Sequence, residues 1–122
     1  MLSRCRLWTE PEAMLAKPLA AVFRVVEVFA DESHWWRYLI ECRTCGQLYV
    51  FEFFDEIDWS LGDDPRYTTY VPVGSRAEVD ELLQAPRGQL HSSGPELRAD
   101  RPSGKPETIR WFGREDRNGS PE

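Results

Sequence analysis

Apolar and polar positions alternate with a period of two through much of the chain, and that alternation predicts strands. Residues 22–29, VFRVVEVF, are rich in β-branched and aromatic side chains, the composition that a pleated surface favours. A polar turn at 30–33 separates them from 34–41, HWWRYLIE, and a second short turn leads to 47–54, QLYVFEFF. Connections this short join antiparallel neighbours, so the three runs predict a meander. TTYVPV at 68–73 predicts a fourth strand, with Pro72 marking its end or a sheet edge. TIRWF at 108–112 has the composition of a last strand, and the Pro-, Gly- and Ser-rich stretch before it has room for a short strand at 96–99.

The same period assigns faces. A turn at Arg43–Thr44 sets Leu39 near Tyr49, Arg37 near Phe51 and Trp35 near Phe53. The opposite face then carries Trp36, Tyr38 and Ile40 against Leu48, Val50 and Glu52. Neither face is wholly polar, so the sheet is expected to be covered on one side and partly covered on the other. A slip of one residue would exchange the faces.

Two segments carry helix signals. Thr9-Glu-Pro-Glu12 has the spacing of a capping box, with Pro11 suited to a first turn and Pro18 to a stop, which predicts a short helix over 10–17. Ser75-Arg-Ala-Glu78 repeats the box. Val79, Leu82 and Leu83 follow with the spacing of one buried helix face, and Pro86 ends the run, which predicts a helix over 75–85. The expected fold is therefore α+β: an antiparallel meander of four to five strands packed with one main helix and a short N-terminal helix. At 122 residues the chain is expected to form one domain over 1–113, with the polar stretch 114–122 as a disordered tail.

Composition narrows the function. Apolar residues make up 41% and charged residues 30%, an ordinary soluble balance. The net charge of −6 argues against nucleic acid and against an anionic membrane surface, both of which are held through Lys and Arg. Three cysteines are an odd number for a disulfide-stapled domain. The first residues hold no apolar run of signal-peptide length, and no stretch approaches the ~18 apolar residues of a membrane span. A cytoplasmic protein with reduced thiols is expected.

One motif has the spacing of a specific chemistry. Cys42-Arg-Thr-Cys45-Gly46 lies between two predicted strands. It resembles the knuckle of a zinc ribbon or rubredoxin-like site, where a tight turn presents two thiolates and the glycine lets the backbone pass under the metal. The resemblance implies zinc held by Cys42 and Cys45. A closed site needs four ligands, and the second cysteine pair of a ribbon is missing here. His34 lies at the far end of the strand from Cys42, roughly 25 Å away at ~3.3 Å per residue. Cys5 and His91 remain open by spacing, as does a site shared between two chains. The other reading makes both cysteines ordinary small residues of a hairpin. A thioredoxin-like pair would sit at a helix N-terminus, whereas this one is followed by a strand.

Residues 52–64, EFFDEIDWSLGDD, hold six acidic groups and no basic one. A solvated edge and loop is the plain reading. The sharper one is a recognition surface in which Glu52, Asp55, Glu56, Asp58, Asp63 and Asp64 surround Trp59, an aromatic anchor ringed by charge that steers a basic partner. No histidine accompanies these carboxylates, and the chain has no EF-hand loop, phosphate-cradling glycine loop, nucleophile elbow or His-Glu-x-x-His motif. It is expected not to be an enzyme.

In general character the chain resembles the small, acidic, aromatic-rich α+β immunity proteins that bacteria encode beside contact-dependent or type VI toxins. That resemblance implies a basic protein partner, the cognate toxin, whose active site an acidic patch occludes. The expected function is that of a cytosolic, non-catalytic, immunity-like binding protein, monomeric or homodimeric, with no cofactor. The alternative is a small structural or regulatory zinc-binding module built on Cys42 and Cys45.

Overall fold

Six strands pair in chain order into one antiparallel sheet in the computed structural model, which describes residues 5–55, 65–92, 94–102 and 104–113. They are β1 (Phe23–Glu32), β2 (Trp35–Cys42), β3 (Leu48–Asp55), β4 (Arg66–Val73), β5 (Glu96–Arg101) and β6 (Thr108–Phe112). Among the described residues the helices are short: α1 (Arg6–Thr9), α2 (Pro11–Leu15), α3 (Leu19–Val22) and α4 (Arg76–Leu82). None of these helices is long and apolar enough to cross a membrane.

The antiparallel α+β architecture follows from the alternation, but the strand count exceeds the expected four to five. Glu96–Arg101 pairs with β4 on one side and β6 on the other, so it is an interior strand of the sheet.

The expected register between β2 and β3 is one residue out. Leu39 pairs with Val50, Arg37 with Glu52 and Trp35 with Phe54. The turn explains the slip. Cys42 N–H donates to Gln47 O at 2.9 Å, and Gly46 N–H donates to Cys42 O at 2.9 Å. Arg43, Thr44, Cys45 and Gly46 all lie in the loop, and Gly46 closes it at φ +82°, a conformation that glycine adopts without steric penalty. Trp36, Tyr38 and Ile40 therefore share a face with Tyr49, Phe51 and Phe53.

Each face has its own cover. On the first, Cys5, Leu7, Trp8 and Met14 pack with Ile40, Cys42, Tyr49, Tyr70, Leu97 and Trp111. The N-terminal segment is fixed there by Trp111 Nε1, which donates to Leu7 O at 3.0 Å, and by the Trp8 and Trp111 rings at 4.7 Å. On the second face, Val79 of α4 and Leu90 close over Leu39, Val50, Val71 and Val73.

The helices are shorter than expected. Over 10–17 the chain forms only α2. Thr9 ends α1 instead of capping α2, and the N-cap Glu10 makes no side-chain cap bond. Pro11 takes the first turn as expected, and Pro18 becomes the N-cap of α3. At the second site Ser75 Oγ accepts from Glu78 N–H at 3.2 Å, and Glu78 Oε1 accepts from Gly74 N–H at 2.6 Å. The helix that this cap opens stops at Leu82, after seven residues. At that length the expected main helix is not present; Val79 is the one buried residue of α4.

Candidate metal centre

The β2–β3 turn presents Cys42 at the end of a strand and Cys45 on its exposed side. Cys5 comes from the other end of the fold. It is the N-cap of α1, and the anchoring of Leu7 and Trp8 on β6 carries it to the hairpin. The three sulfurs lie within 4.8 Å of one another. Bonds of ~2.3 Å at tetrahedral angles place the sulfurs of a zinc site about 3.8 Å apart, so a contraction of about 1 Å or less brings the trio to bonding geometry. These are all the cysteines of the chain.

Two of the three sulfurs are buried. Cys5 and Cys42 are 0% and 1% exposed, and Tyr49 beside them is 0% exposed. The Tyr49 hydroxyl donates to Cys5 Sγ at 3.1 Å. Burial pushes the Cys5 thiol up to about 11, although the Tyr49 hydrogen bond pulls the other way. Burial also raises Cys42, but the backbone N–H groups of Cys45 and Thr44 aim at its sulfur and, with the Cys45 and Cys5 side chains, bring the net shift below the usual thiol range. Burial and the bond to Cys5 push the Tyr49 phenol well up, so it stays a hydrogen-bond donor. Burial thus raises Cys5, while backbone donors in the knuckle lower Cys42; ligation of a metal would displace the proton of either thiol.

The other residues considered for the site lie elsewhere. His34 Nδ1 meets Asp55 Oδ1 at 2.7 Å, and His91 Nδ1 lies 3.2 Å from Glu96 Oε1. Neither belongs to the cysteine group.

The acidic stretch divides. Glu52 is buried at 3% exposure on the second face. It accepts from Trp35 Nε1, from Arg37 Nε and Nη2, and from the backbone N–H groups of Gly88 and Leu90. It is thereby taken out of any surface, because the loop over 86–92 closes above it. Asp55 is at the sheet's end with its side chain 18% exposed. Glu56, Asp58, Trp59, Asp63 and Asp64 lie outside the described residues. Trp35 and Trp36 point to opposite faces. Trp35 covers the Arg37–Glu52 pair, and the Trp36 ring lies 4.7 Å from Phe53.

No known protein family, curated protein or solved structure matches the chain. The reading of the site therefore rests on its own geometry. Spacing leaves Cys5 open as a ligand and gives no sign that the Tyr49 hydroxyl meets it. The available signal was the apolar pair Leu7–Trp8 just after Cys5, which marks a buried segment in an otherwise polar N-terminal stretch.

Proposed function

We propose that the protein is a small, non-catalytic zinc-binding module in which Cys5, Cys42 and Cys45 supply three thiolates to one ion. The meeting of Cys5 with the Cys42–Cys45 knuckle carries this reading. Thiolates with a tetrahedral preference suit zinc. The ion would tie the N-terminal segment to the central hairpin, so that metal binding adds to folding stability. Protein purified without chelator is expected to contain one zinc per chain and to melt at lower temperature once EDTA removes it. Metal-free protein whose melting temperature is indifferent to zinc and EDTA would sink the proposal.

A second reading, binding of a basic protein partner in the manner of immunity proteins, is supported by a different observation. The half-buried pair Trp36–Phe53 lies at the end of the sheet that carries Asp31, the pairing partner of Trp36, and Asp55, with the exposed Val28 two pairs further along β1. Its test is the double change Trp36→Ala and Asp55→Lys, which should abolish pull-down of the product of the neighbouring gene. Undiminished capture would exclude this surface.

A further inference from the structure

We propose that Cys45 is a site of reversible thiol oxidation, with Cys42 as the resolving thiol and a low-molecular-weight disulfide as the oxidant, so that the Cys42–Cys45 bond withdraws two of the three ligands from the ion. The loss of the ion rests on the zinc reading; the bond between the two cysteines does not. All three thiols are free, and their sulfurs lie within 4.8 Å of one another. Thiols so close exchange with a disulfide once one of them meets it.

Exposure sets which sulfur reacts first. Cys5 and Cys42 are buried, whereas Cys45 is exposed. Thiol oxidation follows access, so an external disulfide meets Cys45. The fold then sets which sulfur resolves. Cys42 belongs to the same turn, which the Gly46 N–H closes by donating to Cys42 O at 2.9 Å. Cys5 belongs to a different element, held on β6 through Leu7 and Trp8, and its sulfur already accepts from the Tyr49 hydroxyl at 3.1 Å. A Cys42–Cys45 bond rearranges one short turn, whereas a bond to Cys5 couples that turn to a segment anchored elsewhere.

The exchange balances as two displacements. The Cys45 thiolate attacks one sulfur of the external disulfide, whose S–S bond breaks as the mixed disulfide forms, and the first small thiolate leaves. The Cys42 thiolate then attacks the Cys45 sulfur and expels the second. The two cysteines lose two electrons in all, and the external disulfide becomes two thiols that take their protons from solvent. The pair leads into β3 and not into a helix, so it lacks the dipole that tunes a thioredoxin-like dithiol, and the reaction is stoichiometric. With Cys5 the one thiolate left, the chain no longer offers zinc its ligands, and the N-terminal segment loses its tie to the hairpin.

The full chain, purified without chelator, is treated with oxidised glutathione. Two readouts follow: zinc freed to a chromogenic chelator, and peptide mapping after alkylation of the remaining thiols. Alkylatable thiols should fall from three to one, with Cys5 alkylated, Cys42 joined to Cys45 and one zinc freed per disulfide. Dithiothreitol should restore all three thiols. Cys45→Ser should keep both remaining thiols reduced under the same treatment. A disulfide that includes Cys5, a lasting glutathione adduct on Cys45, or three alkylatable thiols after excess oxidant would each overturn the oxidation site. Zinc that stays bound after the Cys42–Cys45 bond has formed would overturn its coupling to the metal. A chain that carries no zinc yet forms that bond would instead overturn the zinc reading alone.

Discussion

Glu52 takes five hydrogen bonds inside the protein, and two of them come from a guanidinium that is itself buried. Arg37 also donates to Ala85 O and Pro86 O, so the pair ties the sheet to the loop over its second face. Removing one partner of such a pair leaves a buried charge uncompensated, at a cost of about 3–5 kcal/mol. Glu52→Ala should lose that much in urea denaturation; a loss under about 1 kcal/mol would show that the pair is not buried as described. Asp100 behaves differently. Burial raises its pKa, with Arg98 opposing, Glu96 adding and the Thr68 backbone opposing. Because the folded-state pKa is the higher one, ionised Asp100 costs stability at neutral pH. That cost vanishes as pH falls through the folded pKa. Asp100→Asn should therefore raise the melting temperature at pH 7, with the gain shrinking towards pH 4. A lower melting temperature at pH 7 would mean that the Arg98 contact outweighs desolvation. The acidic character of residues 52–64 was plain in the sequence, but the burial of Glu52 was not, because nothing local distinguishes a carboxylate under a distant loop from one in water.

At the scale of elements, alternation located the strands well and failed on one register. The β2–β3 hairpin carries apolar side chains on both faces, so neither register leaves a wholly polar side, and the pattern cannot choose between them. The turn chose, through Gly46 and the bonds that close Cys42 against Gln47. Helix α4 shows the reverse case. Its cap was legible, and its length was not, since propensity alone does not hold a seven-residue helix together. The Ser75 cap therefore bears more on this element than it would on a long helix. Ser75→Ala should cost about 1 kcal/mol, measurable by chemical denaturation, and should leave metal content untouched. No measurable cost would mean that burial of Val79 alone holds the turn.

At the scale of the whole molecule, the sheet brings together residues from opposite ends of the chain. Trp111 on the last strand holds Leu7, and through that hold Cys5 reaches a turn that begins at Cys42. Half of the proposed metal centre was legible as Cys42-x-x-Cys45-Gly46. The third sulfur was not, because its position depends on the pairing of β5 and β6, which short strands in a Pro- and Gly-rich stretch do not advertise. The central claim is that the fold itself completes the knuckle with Cys5. X-ray absorption at the zinc edge, on protein purified without chelator, tests it most directly. The account predicts three sulfurs at about 2.3 Å and one lighter donor at about 2.0–2.1 Å. A shell with two sulfurs or fewer would contradict it.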